Sequence, residues 1–394
     1  MHKAIVRTAT ASAGVAGLAG VVVAGLGSYF VRQILTPATA SQDESIIEVT
    51  RDTILLKRTA AAVAPGRYSL FWDKMAGHAR VGEVLQTDDR AVLRELLGVD
   101  FGQLRPGRAR LAGYFYPAPS QQDGTALSDV SLDGPLGPIP AWCSDEGEAS
   151  NHPDVWAILV HGRGATRAET LRAVPPLRRI GVRILAPSYR NDSDAPPSPD
   201  GRYHLGLSEW RDIEAAMAYA VERGAQRIIL FGWSMGGAIV LQLLAHSAYA
   251  DRVVAVVLDA PVVSWRQVID FHAGVHKVPL ALSHTGQRLI GKSWSKSFGG
   301  VSMPLPIPQT DWIARADDLH VPTLLIHSED DDFVPYGPSA DLARARPDVI
   351  QFESWSGALH CREWNVDFHR WDGVVGEFLA ARLADSTPVI DPVT

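Results

Sequence analysis

The stretch that most constrains this chain is Gly232-Trp233-Ser234-Met235-Gly236-Gly237, read with its flanks. Arg227-Ile228-Ile229-Leu230-Phe231 before it has the length and β-branching of a buried strand, and Ala238 to Ala245 after it is an apolar run of good helix formers. A strand that turns into a helix within so few residues holds the serine in an unfavourable backbone conformation. Side chains at 232 and 236 would collide with the neighbouring strand and helix, which is why both are glycine. The turn lifts the Ser234 hydroxyl from the sheet edge to the positive end of the helix, where a developing oxyanion is favoured. In a chain with 34 glycines, Gly-x-Ser-x-Gly alone means little. Strand, motif and helix together predict a nucleophile elbow at Ser234.

The surrounding chain supports that context. From residue 151 onward, strands are expected at Val155–Val160, Val182–Ala186, Arg227–Phe231, Val253–Leu258, Pro322–His327 and Val349–Phe352. Between and after them come helical stretches: Arg167–Ile180, interrupted at Pro175-Pro176; Ser208–Arg223; the run after Ser234; Pro338–Arg346; and Asp367–Leu383. Such alternation means a mostly parallel sheet with helices on both faces. Residues 266–320, rich in Gly, Pro, Ser and Trp, break the alternation and read as a cap inserted at the ligand-binding end of the sheet. The cap is expected to form the acyl-side wall of the pocket with Phe271, Leu280, Leu282, Leu289, Ile290, Trp294, Phe298 and Trp312. Residues 41–150 read as a mainly β N-terminal extension, part of which adds strands to the main sheet. Asp89–Leu97 is expected to be a short helix and 117–140 a loop or hairpin.

Composition sets the outer bounds. A 394-residue chain with 46% hydrophobic and 21% charged residues suits a globular protein with a large core. A net charge of -7 without a basic cluster argues against nucleic acid as a partner. Two cysteines, Cys143 and Cys361, exclude a disulfide-dense scaffold and a Cys-rich zinc site, and leave open one disulfide or two free thiols. The run from Thr8 to Val31 carries no charge. A bilayer span needs about 20 apolar residues and a secretory h-region roughly 7–15, so its length reads as an anchor. Ala38-Thr39-Ala40 resembles a cleavage site and supplies the alternative of a removed signal. Either way the remainder is exported, and Lys3 and Arg7 ahead of the run keep the N-terminus inside. The expected organisation is therefore a signal or anchor at 1–40, the β extension at 41–150 and the catalytic unit at 151–385.

A serine hydroxyl needs a base to take its proton and an acid to hold that base. Later loops offer both. Ser328-Glu329-Asp330-Asp331-Asp332 follows one strand, and Ser356-Gly357-Ala358-Leu359-His360 follows the next. With His161-Gly162-Arg163-Gly164 after the first strand of the alternation, Asp331-Asp332-Phe333-Val334-Pro335, and Gly357-Ala358-Leu359-His360, the chain resembles an α/β-hydrolase over roughly 150–385. The family's Asp-x-x-Val-Pro pattern selects Asp331 as the acid, and its order Ser, Asp, His selects His360 as the base. Ser328 stands where glycine is usual, and Cys361 directly follows the base. Backbone N–H groups of Met235 and Arg163 are the expected oxyanion donors, with the Arg163 side chain in solvent and His161 shaping its loop. Tyr189-Arg190-Asn191-Asp192 and Glu209-Trp210-Arg211-Asp212 are similar to the prolyl-oligopeptidase-like branch. For Trp233, Trp265, Trp294, Trp312 and Trp355, core packing outweighs a pocket role.

The resulting expectation is an exported, membrane-tethered serine hydrolase acting on carboxylic esters through Ser234, His360 and Asp331. It implies a small-molecule substrate and neither metal nor organic cofactor, and sets no oligomeric state. The alternatives are a prolyl-oligopeptidase-like peptidase and an inactive hydrolase scaffold used for binding.

Overall fold

A computed structural model of the chain describes residues 32, 34–37, 41–122, 127–144, 150–293 and 300–385. The uncharged run 8–31, the Ala38-Thr39-Ala40 site, and Trp294 and Phe298 of the cap lie outside the described residues. Among the described residues no helix is long and apolar enough to cross a membrane.

Eight strands make the central sheet, in the order β14-β13-β12-β11-β9-β10-β8-β7. They are β7 (Leu127–Gly134), β8 (Gly137–Ser144), β9 (His152–Val160), β10 (Val182–Pro187), β11 (Arg227–Trp233), β12 (Val253–Asp259), β13 (Thr323–Ser328) and β14 (Ile350–Trp355). The six from β9 to β14 run parallel, and the β7–β8 hairpin joins β10 antiparallel as the edge. Both faces of the β11 strand are buried, one against the Trp210–Glu222 and Met235–His246 helices and the other against the C-terminal helix Phe368–Asp385. That explains the unbroken apolar strands in the sequence. The stretch expected as one interrupted helix splits at its prolines. Arg167–Ala173 is a 3-10 turn, and a new α-helix, Val174–Ile180, carries proline in its first turn, where no donor is lost.

The first part of the N-terminal extension, 44–112, closes into a barrel, while its later part supplies β7 and β8 to the main sheet. The barrel strands are β1 (Glu44–Val49), β2 (Thr53–Lys57), β3 (Tyr68–Trp72), β4 (Gly77–Thr87), β5 (Ala91–Phe101) and β6 (Gly107–Ala112), in the order β1-β2-β5-β4-β3-β6, with β6 pairing back to β1. The helix expected at Asp89–Leu97 is instead most of β5. Leu, Glu and Arg there suit a helix locally, but cross-strand pairing to β2 and β4 decides the outcome. The alternation is disguised because an inward position is arginine. Arg94 is fully buried and donates to the carbonyls of Gly82, Ala62, Ala64 and Gly66, so its charge closes the end of the barrel core.

The barrel is fastened to the segment just after His360. Asn365 Nδ2 donates to the carbonyls of Arg67 (2.6 Å) and Gly113 (2.5 Å), and Arg67 N donates to Asn365 O. The Arg67 guanidinium lies 3.2 Å from the Phe368 ring centroid. A second fastening comes from residues 34–36. Leu35 is fully buried in the main core, its carbonyl accepts from Tyr203 N, and Thr36 O accepts from Arg163 Nη2 at 2.8 Å.

Candidate active site

Ser234 is one of few non-glycine residues with positive φ, at φ 52 and ψ -118, and it immediately precedes the helix Met235–His246. A Cβ at Gly236 would lie 2.2 Å from Val160 O, and one at Gly232 would lie 2.7 Å from Gly236 O. Both glycines are therefore required by close approach of backbone to backbone. The strain falls on the serine, which is held by Ser234 N donating to Asp259 O and by Val262 N donating to Ser234 O.

His360 Nε2 lies 2.8 Å from Ser234 Oγ, and His360 Nδ1 lies 2.7 Å from Asp331 Oδ2. With the carboxylate ionised, Nδ1–H donates to Asp331 and Nε2 is left to accept from the serine. Burial alone would depress the His360 pKa, but the Asp331 charge and its hydrogen bond outweigh burial and hold it above the usual value. Burial would raise Asp331, but the His360 charge and hydrogen bonds from His327 and His360 outweigh it and keep this carboxyl well below the ordinary range. Its other oxygen accepts from Phe333 N and Val334 N, both at 2.8 Å.

The neighbouring aspartates have different work. Asp330 Oδ2 accepts from Gly357 N at 2.7 Å, and Asp332 Oδ1 accepts from His360 N at 3.3 Å. Both are exposed, and both anchor the loop that carries His360. His327, the competing imidazole, stands behind Asp331: Nε2–H donates to Asp331 Oδ2 at 3.1 Å while Nδ1 accepts from Ser339 Oγ at 2.7 Å. It is fully buried.

The loop after β9 comes close to the serine. A Cβ at Gly162 would lie 3.1 Å from Ser234 Cβ, and Gly164, at φ 68, turns the chain away. Gly162 N is already committed to Glu169 Oε2 at 2.7 Å, which leaves Arg163 N as the next amide along the loop. His161 shapes this loop as expected, stacked on Tyr189 at 4.4 Å and bonded to Asp192 Oδ2 at 2.8 Å. The Arg163 side chain is not in solvent. It donates to Thr36 O and lies over the Tyr203 ring, and burial lowers its pKa.

Two parts of the site escaped sequence reasoning. Glu169 ties the loop to its surroundings through Gly162 N and an ion pair with Arg172, whose Nη1 donates to Cys361 O at 2.7 Å. The i,i+3 spacing of Glu169 and Arg172 was its only local sign. The second is the wall. A cavity of about 160 Å³ opens on Ser234 and is lined by 110–114, 162–165, Glu169 and 360–362. The expected cap, 266–320, lies between β12 and β13 as two helices, Trp265–Val275 and Leu280–Ile290, with a Pro-rich return. Among the described residues none of it lines the cavity, because β6 and the residues after it occupy that side. Its link is indirect: His272 Nε2 donates to Phe333 O at 2.9 Å, and the Phe333 ring sits 5.3 Å from His360. Trp233, Trp265, Trp312 and Trp355 are buried in the core. Cys143 and Cys361 are both buried and not joined in a disulfide, and burial pushes Cys361 far above its usual pKa. Among the described residues no cluster of His, Cys, Asp and Glu is arranged to hold a metal.

Residues 45–112 match a domain of unknown function (DUF8805), which coincides with the barrel. A segment of the multifunctional-autoprocessing repeats-in-toxin of Vibrio cholerae is 29% identical over 212 residues, covering 52% of this chain and 4% of the toxin. The homologous toxin of Vibrio vulnificus is 29% identical over 155 residues, 36% of this chain and 3% of its own length. This chain thus spans a small fraction of the curated relatives it matches. Among solved structures, an esterase from Pyrococcus furiosus is 20% identical with a TM-score of 0.48, covering 65% of this chain and 91% of its own. An esterase from Thermogutta terrifontis is 18% identical with a TM-score of 0.46, covering 65% and 99%. At such identities and scores neither bears on substrate. The model of the alpha/beta hydrolase family matches residues 157–384, more than half of the chain, and this enzyme belongs to that family.

Proposed function

We propose that this hydrolase cleaves carboxylic esters through an acyl-enzyme formed on Ser234. Ser234 Oγ attacks the ester carbonyl while its proton passes to His360 Nε2, and the carbonyl electrons move onto oxygen. Met235 N–H, at the positive end of its helix, and Arg163 N–H then receive that oxyanion. Collapse of the tetrahedral species expels the alcohol, which takes the proton from His360. Water, deprotonated by the same imidazole, releases the acid and restores Ser234. Asp331 holds the Nδ1–H tautomer throughout and offsets the imidazolium charge.

The observation that carries this reading is the conjunction at Ser234: a strained serine at a helix N-terminus, 2.8 Å from an imidazole whose other nitrogen is held by a buried carboxylate. A fluorophosphonate probe separates enzyme from inert scaffold. A panel of p-nitrophenyl esters against aminoacyl amides separates esterase from peptidase. Turnover of the esters with negligible amide cleavage is expected, and amide cleavage at comparable kcat/KM would replace the reading with a peptidase.

The location proposed for it is a membrane, with the catalytic domain outside the cytoplasm. Cleavage after Ala40 would remove Leu35, which is fully buried, and the Thr36 carbonyl that holds Arg163, so retention of the run 8–31 is the reading these contacts favour. Carbonate-washed membranes should keep the full chain. A mature protein beginning at Ser41 would point to secretion.

A further inference from the structure

The wall of the cavity is basic in a chain that is acidic. Three arginines line it: Arg110 from β6, Arg163 from the loop after β9, and Arg362 from the segment that fastens the barrel. The one carboxylate on the same wall, Glu169, is committed to Gly162 N and to the Arg172 ion pair. The chain as a whole carries a net charge of -7, so this local excess does not follow from overall composition. Tyr68 hydrogen-bonds Arg362 and the Glu44 carboxylate attracts it, which leaves one of its nitrogens over. Its guanidinium lies 5.1 Å from the Tyr68 ring centroid, and its Nη1 is buried without a hydrogen-bond partner among the described residues. A buried donor left unpaired costs free energy that an arriving acceptor recovers. The wall is also small and largely polar. At about 160 Å³ it falls below the roughly 300–1,000 Å³ of a usual ligand pocket, and Leu111 and Tyr114 are its only large apolar side chains.

We propose that the barrel serves as the selectivity wall of the active site, and that Arg110 and Arg362 select short esters carrying an anionic group near the scissile carbonyl. The proposal rests on Ser234 being the nucleophile of an ester hydrolase. Guanidinium groups pair with planar oxyanions through charge-assisted hydrogen bonds, so a carboxylate or phosphate oxygen is the matching chemistry. That anion belongs either to the acid or to the alcohol of the ester, and the two are separable.

The experiment compares kcat/KM for matched pairs of esters in the full chain. On the acyl side, the mono-p-nitrophenyl ester of succinic acid is set against p-nitrophenyl butyrate. On the alcohol side, umbelliferyl acetate bearing a ring carboxylate is set against plain umbelliferyl acetate. In at least one pair the anionic ester should be favoured by about tenfold or more, the worth of one charge-assisted hydrogen bond. The favoured pair identifies the side that carries the charge. In Arg110→Gln and Arg362→Gln the ratio should fall toward one. Should either variant misfold, raising ionic strength on the unaltered protein gives a second reading: KM for the anionic ester should climb while that of its neutral partner holds. Neutral esters turned over as well or better in both pairs would overturn the proposal while leaving the hydrolase reading intact. No turnover of any ester, with no phosphonate on Ser234 in a folded protein, would overturn both.

Discussion

Two regions of this molecule hold a serine, a histidine and an aspartate in one hydrogen-bonded row. In the barrel, His78 Nε2 lies 2.7 Å from Ser69 Oγ and His78 Nδ1 lies 2.7 Å from Asp100 Oδ2. In the hydrolase unit, His360 makes the same pair of contacts with Ser234 and Asp331 at 2.8 and 2.7 Å. By side-chain distances the two rows are almost interchangeable. They differ in everything around the row. Ser69 lies within β3, paired on both sides, and both it and His78 are fully buried. Ser234 sits on a strained turn at a helix end, faces a cavity, and its histidine side chain is 19% exposed. Burial, helped by the Arg80 charge, drives the His78 pKa down against the pull of Asp100, whereas the Asp331 charge lifts His360. His204 with Ser208 and Asp200, and His327 with Ser339 and Asp331, make the same contacts with the imidazole and serine buried. In this chain a Ser–His–Asp row recurs as a way to satisfy a buried imidazole, as buried polar groups require. Access, backbone strain and a place for the oxyanion set one apart.

The comparison can be broken most decisively at the serines. Ser234→Ala should lose turnover by on the order of 10⁶ in kcat, the cost of removing the nucleophile from a serine triad. Activity that survives in that variant would show that another hydroxyl does the chemistry.

Next in size is the acid. Asp331→Asn should lower kcat by about 10⁴, because the amide stabilises the wrong imidazole tautomer. Asp330→Asn and Asp332→Asn should cost far less, since each holds the His360 loop only through a backbone amide. A larger loss at Asp330 than at Asp331 would place the acid wrongly.

The candidate site is legible in the sequence where it is local. Ser234, the acid loop and His360 each follow a strand within a few residues, so the strand pattern and loop spacing carry them. What stayed hidden depends on distant pairing. Closure of the barrel needs β6 to meet β1 across some sixty residues, and the inward Arg94 masks the alternation of β5. The sequence points to residues 266–320 as the wall of the cavity because an insertion at the ligand-binding end of a sheet is expected to cover it. The docking of Arg67 and Gly113 onto Asn365 brings β6 there instead, and no local pattern encodes that contact.

A smaller effect follows from proton linkage. In the proposed mechanism His360 is the base and must be neutral to act, and its pKa in the folded enzyme is raised above 6.5. Protonation therefore persists to higher pH than for a free imidazole. The profile of kcat/KM should fall about tenfold per pH unit below a midpoint above 6.5. A midpoint below that value would mean that Asp331 does not hold the imidazolium as the geometry requires.

The smallest effect is expected in the barrel. Ser69→Ala removes one partner of a buried imidazole and should lower stability by roughly 1–3 kcal/mol in denaturant titration. Probe labelling should be unchanged. Loss of labelling in a folded Ser69→Ala protein would tie the barrel row to the chemistry.

The most direct test is peptide mapping by mass spectrometry after fluorophosphonate labelling of the full chain. One phosphonyl adduct should appear, on the peptide containing Ser234, with the peptide containing Ser69 unmodified. An adduct on Ser69 or any other serine, or none at all on folded protein, would contradict the account.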